Sequence, residues 1–378
     1  MSFPEKINTI VRQNIAKRRL VSRNIDNDIV NPLEHWGLTK IKNNINNKEK
    51  LKQLFDKKNI EREEIKKYKL FKMQEMLEYV SQNSPFYSKL YKESGVNTSH
   101  INDFNDLENI PLTEQEQLAK HQYHFLCVSR KNIAREFTSS GTTNLLKRVA
   151  YTQDELLEIV DSVISGLKMA GMNSDNDTLQ IMYPTITATW DPGLMLSKAC
   201  DLAGFNSVIN DSVDVEDQIN TMKKAGTTII IGTSSFIYDL SKKASDFIKP
   251  GELGIKRIIC SSEPLTESMR AQIESVWGCK ALRQWGMTEL GLANAIECTE
   301  QNGLHVNNAD FLVEVIDPDT GKILPPGEEG ELVFTTLRRE CMPLIRYRTG
   351  DISSIIDEPC NCGAIVDQRI RDVKRKDM

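Results

Sequence analysis

The sequence predicts an α/β protein with βαβ-type sheets flanked by helices, joined to a smaller antiparallel β subdomain near its C-terminal end. Three observations predict it. Between residues 178 and 286, short runs rich in Ile, Leu and Val alternate with helix-like stretches across Gly- or Ser-bearing turns, which is the texture of parallel strands with crossover helices. From about Asn307 the texture changes to "FLVEVIDPDTGKILPPGEEGELVFTT", where two alternating strands are joined by Asp-Pro-Asp-Thr-Gly and Pro-Pro-Gly turns. The chain has 378 residues, 39% of them hydrophobic and 27% charged, so it can bury a large core and is ordinary in composition.

The elements follow in order. Residues 1–60 are expected to form a basic, helical arm, because residues 1–70 hold 17 Lys/Arg against 9 Asp/Glu within a chain of net charge -5. The runs "KRR" and "DKKNIEREEIKK" lack interleaved aromatics and read as solvated helix faces, so no nucleic-acid partner is expected. Residues 61–82 place Ile65, Tyr68, Phe71, Met76, Leu77 and Val80 near helical spacing, and Pro85 breaks the pattern. Then come the strand "LQIMYP", the helix "WDPGLMLSKACDLAG", and the runs "INTMKKAG", "TTIIIGTS" and "FIYDLSKKASDFI". "IKRIICSS", "LTESMRAQIESVWG" and "KALRQWG" supply a further strand, helix and strand. The α/β core is expected over 61–306, the β subdomain over 307–370 and a hinge remnant over 371–378.

No apolar run approaches the length that spans a bilayer, and "MSFPEKINTIVRQNIAKRRL" lacks an uninterrupted apolar signal-peptide core, so the expectation is a cytoplasmic protein with no membrane partner. Eight cysteines in such a chain are not expected to form a disulfide framework, and four are scattered among apolar neighbours as small hydrophobes.

Three segments carry chemistry. "TSSGTTNLLK" packs Thr138, Ser139, Ser140, Gly141, Thr142 and Thr143 together ahead of Lys147; hydroxyls and N–H groups on such a loop can wrap phosphate oxygens while a lysine balances their charge. A polar surface loop is the alternative. It is not a P-loop, because Leu146 stands where GxxxxGK[ST] needs its second glycine. "ALRQWGMTELGLA" ends a strand with Trp285 and Gly286 and follows it with Thr288 and Glu289, setting a ring, a hydroxyl and a carboxylate at a sheet edge of the kind that binds ligands. Read alone, it leaves open a core Trp285 and a helix-capping Glu289. "CMPLIRYRTGDISSI" gathers Arg346, Arg348 and Asp351 beside a Thr-Gly turn, either to hold a ribose or as a structural ion-pair site.

In this order and at these separations, "TSSGTTNLLK", "QWGMTE" and "RYRTGD" resemble the phosphate, adenine–magnesium and ribose motifs of the adenylate-forming superfamily. "NSPFYSKLY", "SSEPLTESMR" and the stretch from "GLHVNNADF" to "RYRTGDI" are similar to its phenylacetate–CoA ligase branch, and the resemblance runs from about residue 65 to the end. It implies the large N-terminal domain of that fold. It also implies that Ser139, Ser140, Gly141, Thr142, Thr143 and Lys147 surround the β- and γ-phosphates of ATP. Ser262, Glu263 and Pro264 would line the adenine, with Trp285 in the aromatic position and Gly286 allowing close approach. Thr288 would meet the α-phosphate, Glu289 would bind Mg²⁺ and Asp351 would hold the ribose hydroxyls. The implied reaction is attack of a small, aromatic or hydrophobic carboxylic acid on ATP, giving acyl-AMP and pyrophosphate.

Further expectations hang on the resemblance. Tyr183, Trp190 and Phe236 are candidates to line the acyl pocket. Cys298, His305, Cys360 and Cys362 stand where some members of the branch carry structural Zn²⁺, and a closed Cys₃His shell would be structural. Asn144 and Leu146 replace the family's glycine and proline in the phosphate loop. Where members continue through a Gly-Arg-x-Asp-Asp-like hinge into a C-terminal domain of roughly a hundred residues, this sequence has "VKRKDM", so that domain is expected to be absent and coenzyme A is left open as the acceptor. The alternatives are an adenylating enzyme that passes acyl-AMP to a separate acyl-acceptor protein, and a non-catalytic nucleotide-binding homologue. A homodimer is left open as well.

Overall fold

The computed structural model describes residues 15–26, 29, 31–49, 60–139, 146–173, 175–183, 192–291, 294–364 and 368–375. Its strands, in chain order, are β1 (Arg135–Thr138), β2 (Arg148–Tyr151), β3 (Thr178–Met182), β4 (Asn206–Ile209), β5 (Ile229–Thr233), β6 (Arg257–Ser261), β7 (Lys280–Trp285) and β8 (Ala295–Glu297). They continue with β9 (Leu304–Val306), β10 (Phe311–Ile316), β11 (Gly330–Thr336), β12 (Tyr347–Ser353), β13 (Ile355–Ile356), β14 (Arg369–Ile370) and β15 (Lys374–Arg375). This is the mixed α/β architecture expected from the sequence, and the chain divides into two compact units.

One unit comprises Met1–Trp36, Leu157–Gly286 and Ala295–Leu304. Its strands lie in the order β8-β7-β6-β5-β3-β4, parallel from β7 to β4, with β8 antiparallel to β7. The Ile runs of β5 and β6 are buried along their length, as befits strands with both faces covered. The intervening helices start where the sequence supplies side-chain acceptors for their free N–H groups. Asp214, Thr233 and Thr266 accept from the amides of Asp217, Phe236 and Met269 and so open helices Val215–Ala225, Ser234–Ala244 and Glu267–Trp277. Their apolar faces join Ile230 and Ile258 in one core through Ile219, Ile237, Ile273 and Trp277. Each such side chain contributes about 1.5–3 kcal/mol by burial. The Trp277 indole N–H is not left bare there, because it donates to Ser241 Oγ at 2.8 Å. Part of the N-terminal arm belongs to this unit, held by Asp161, whose carboxylate accepts from Val21 N at 3.1 Å and from Ser22 N at 2.8 Å.

The other unit comprises Gly37–Leu156, Met287–Asn294 and His305–Met378. Helix Arg62–Asn83 opens with a Glu61/Glu64 capping box and buries Ile65, Tyr68, Met76, Leu77 and Val80, while Phe71 is only half-buried. Ser84 ends it and caps the next helix, Pro85–Ser94, with Pro85 in the first turn, where its missing N–H is no loss. The C-terminal sheet runs β10-β11-β12-β15, antiparallel throughout. At its corner a Cβ on Gly330 would sit 2.4 Å from the Ile316 carbonyl oxygen, so β11 can begin there only with glycine.

The sheet departs from the alternation read in the sequence, because every residue of β10 and β11 is buried. Glu314 and Glu331 are buried with the rest, at 4% and 3% exposed. Each is neutralised from the β12 segment. Arg346 Nε lies 3.1 and 3.2 Å from the two Glu314 oxygens, and Arg348 Nε 3.1 Å from Glu331 Oε2. Period two places a side chain on a face; it does not say whether that face is wet. Among the described residues no helix is long and apolar enough to cross a membrane.

Candidate active site

In the second unit, hairpin β1–β2 brackets the hydroxyl-rich loop, with Thr138 opposite Arg148. Ser139 N donates to the Lys147 carbonyl at 2.8 Å, and Lys147 N donates back to Ser139 Oγ at 3.2 Å, so the base of the loop is closed by its own ends. Ser140, Gly141, Thr142 and Thr143 lie outside the described residues. The hairpin delivers Lys147 inward: its Nζ lies 2.7 Å from Glu289 Oε1, with the two side chains 7% and 3% exposed. Two sequence-predicted groups far apart in the chain are thus one ion pair. Nζ also donates to Gln115 Oε1 at 2.7 Å, and Tyr347 Oη donates to Glu289 Oε1 at 3.3 Å. Burial, reinforced by the Glu289 charge, holds the Tyr347 phenol well above its ordinary pKa, so this hydroxyl stays a donor.

The turn that carries Glu289 is braced on its backbone. Tyr151 Oη donates to the Thr288 carbonyl at 2.8 Å, Arg339 donates to the Glu289 carbonyl, and Asn294 Oδ1 accepts from Met287 N at 3.0 Å. The Arg339 guanidinium lies over the Tyr151 ring, 4.7 Å from its centroid. Thr288 itself is half-buried. Asp351, on β12, is buried; its amide donates to Thr349 Oγ1 at 3.1 Å and its Oδ1 lies 3.6 Å from Arg375 Nε. Arg346 and Arg348, the cations beside it in sequence, serve the sheet instead.

The first unit gathers the remaining candidates at the C-terminal edge of adjacent parallel strands, where open α/β sheets bind ligands. Tyr183 follows β3, helix Ser234–Ala244 with Phe236 follows β5, Ser262 to Pro264 follow β6, and Gly286 follows β7. Tyr183 is buried, its hydroxyl hydrogen-bonded to Ser261 Oγ, and burial pushes its pKa up to about 12. The Glu263 carbonyl accepts from Ser234 Oγ at 2.8 Å and its carboxylate from Ser235 N at 3.0 Å, tying the proposed adenine segment to the helix that carries Phe236. Ser262 is held at φ 66°, a left-handed conformation that costs a non-glycine residue on the order of 1–3 kcal/mol and is concentrated at functional sites. Phe236 packs against the unit's core, Trp285 and Gly286 are half-buried, and Trp190 lies outside the described residues.

His305, Cys360 and Cys362 of the second unit are buried, and their ligand atoms lie within 4.8 Å of one another, with Cys362 Sγ 3.6 Å from His305 Nε2. Burial opposes ionisation of Cys360, but the hydrogen bonds from the His305 side chain and the Cys362 backbone together outweigh it and hold the thiol below its usual pKa. Two thiols and an imidazole so placed are a donor set for a soft divalent ion. Cys298 is buried in the first unit.

Gln115 and Tyr347 were not picked out from the sequence. Gln115 is disguised within a helix-start signature, "TEQEQL", and Tyr347 lies inside the ribose motif without a ribose-binding chemistry of its own.

One unit sets candidate residues along the C-terminal edge of a parallel sheet, and the other pairs the buried Lys147 with Glu289. The family model described as "AMP-binding enzyme" matches residues 73–337, and the chain belongs to that family. More particularly, the phenylacetate-coenzyme A ligase of Thermus thermophilus is 32% identical over 308 residues, covering 80% of this chain and 68% of that protein. The enzyme of the same name from Escherichia coli is 28% identical over 285 residues, covering 74% of this chain and 64% of its own. The chain therefore spans about two thirds of the length of these relatives and is a phenylacetate–CoA ligase-like, adenylate-forming enzyme. A 2-hydroxyisobutyryl-CoA ligase, solved in the postadenylation state in complex with R3-HIB-AMP, shares the fold with a TM-score of 0.76 at 19% identity, over 84% of this chain and 69% of that one.

Proposed function

We propose that this protein activates a small aromatic or hydrophobic carboxylic acid by AMP transfer, converting ATP and the acid to acyl-AMP and pyrophosphate. The observation that carries the reading is the buried contact between Lys147 and Glu289, since it joins the phosphate-loop cation to the carboxylate of the second motif. The acid's oxygen attacks the α-phosphorus in line, the bond to the bridging oxygen breaks, and pyrophosphate departs with the electron pair. No protein nucleophile or base is required, so the chain's contribution is position and charge. Lys147 and the loop hydroxyls bind the departing phosphates. Thr288 orients the α-phosphate, and Asp351 accepts from the ribose hydroxyls. Ser262, Glu263, Pro264, Trp285 and Gly286 form the adenine slot, and Tyr183, Trp190 and Phe236 line the acyl pocket.

Mg²⁺ arriving with the nucleotide would be held by Glu289, an oxygen donor suited to it, and would supply neutralisation of phosphate charge. Zn²⁺ fits the buried His305, Cys360 and Cys362, with Cys298 as the fourth ligand implied by the resemblance; it would fasten the fold and take no part in the reaction. The test is acid-dependent pyrophosphate release with ATP and Mg²⁺ across a panel of aromatic and aliphatic acids. Lys147→Ala and Glu289→Ala should each depress it at least tenfold, and unaffected variants would refute the roles given to them.

A further inference from the structure

One polar side chain outside the three motifs connects two of them. Gln115, the first residue of helix Gln115–His121, accepts from Lys147 Nζ through Oε1 at 2.7 Å and donates through Nε2 to the Thr349 carbonyl at 2.6 Å. Lys147 is the phosphate-loop cation. Thr349 stands two residues before Asp351 on β12, and its own hydroxyl accepts from the Asp351 amide at 3.1 Å. A single amide therefore spans the cation and the turn that presents the ribose carboxylate. The turn is shaped to receive it. Gly350 has φ 73°, and a Cβ there would lie 2.8 Å from Gln115 Nε2, inside contact distance. Glycine at this position clears the space the amide occupies, beyond allowing the left-handed turn.

The alternative acceptor for Lys147 is Glu289, at the same 2.7 Å distance. An amide oxygen and a carboxylate oxygen on one ammonium fix its direction more narrowly than either alone, because Lys is a flexible stem with three rotatable donors. We propose that Gln115 is a positioning residue for ATP, holding Lys147 and the Asp351 turn in register so that one nucleotide meets both. This rests on the adenylation reading above. Gln115 acts through Lys147 and the Thr349 carbonyl, and not on the reacting atoms.

The test is steady-state kinetics of acid-dependent ATP–pyrophosphate exchange for the full chain and for Gln115→Met, which keeps the side chain's length and removes both hydrogen bonds. The KM for ATP should rise and kcat fall, each by about tenfold or more, while the KM for the acid stays within about twofold. Gln115→Glu, which keeps the acceptor for Lys147 and loses the donor to Thr349, should recover kcat better than the KM for ATP. Hydrogen exchange over residues 347–353 should quicken in both variants. An active wild type with unchanged ATP kinetics in Gln115→Met overturns the positioning role alone. A uniform loss, with acid and ATP parameters moving together and a lowered melting temperature, makes Gln115 a structural cross-link and overturns it too. A wild-type chain inactive with every acid would sink the adenylation reading itself, and the positioning role with it, before any variant is compared.

Discussion

Glu289→Leu and Lys147→Met, made singly and together, probe the contact on which the functional reading depends. The ammonium and carboxylate meet at 2.7 Å with 7% and 3% of their side chains exposed, so neither charge can turn to water when its partner is removed. Deleting one member of such a pair typically costs about 3–5 kcal/mol, because the survivor is left buried and unpaired. Here Gln115 Oε1 still accepts from Lys147 after Glu289→Leu, and Tyr347 Oη still donates to Glu289 after Lys147→Met. A retained hydrogen bond to a charged group is worth about 1.5–3 kcal/mol, which moves each single loss to the lower end, near 3 kcal/mol. The double variant removes both charges at once and leaves an apolar pair. Its loss should be well below the sum, giving a coupling of about 2 kcal/mol or more. Equilibrium unfolding in urea at low and high salt measures it, and the coupling should persist in high salt because the pair is shielded from counterions. Losses that add to within about 0.5 kcal/mol would mean that the two groups do not share their charge, and would refute the argument.

Three further outcomes follow from the same geometry. Ser262→Gly removes the left-handed strain at φ 66° but adds chain entropy in the unfolded state, and it should still raise unfolding free energy by roughly 0.5–1 kcal/mol in urea titrations. Burial opposes ionisation of Asp177, yet its bonds from Lys256 Nζ at 2.7 Å, Asn173 N at 2.8 Å and Thr228 Oγ1 at 2.8 Å hold its pKa below the ordinary value. The stability it contributes is therefore present above the unfolded carboxyl pKa and lost as pH falls through the folded one; Asp177→Asn should lose about 1–3 kcal/mol near neutrality and flatten the acid limb of the stability curve. Purified protein should carry about one zinc per chain, and Cys360→Ser should lose it together with thermal stability; metal analysis well below that content would reject the site.

Much of the fold was legible because local and tertiary preferences agree. The Ile-rich runs became the central strands, and the Asp, Thr and Gly residues between them became helix caps, as their side-chain chemistry requires. The three motifs led to Lys147, Thr288, Glu289 and Asp351 through order and resemblance. Position in the sequence did not reveal that Lys147 and Glu289 touch, nor that Gln115 joins residue 147 to residue 349, because such contacts are made by the path of the chain and leave no periodic signal. The burial of Glu314 and Glu331 is another contact that leaves no signal in the sequence. Arg346 and Arg348 reach them from the next strand segment and neutralise them within the sheet.

The most direct test of the central claim is pyrophosphate release by the wild-type chain with ATP, Mg²⁺ and pooled aromatic and aliphatic acids, run with and without coenzyme A. The account predicts release that requires the acid. Multiple turnovers only with coenzyme A would identify the acceptor, and a single burst indifferent to it would mean that acyl-AMP is made and held. ATP binding with no acid-dependent release under any condition would contradict the account and leave a nucleotide-binding protein without the chemistry proposed for it.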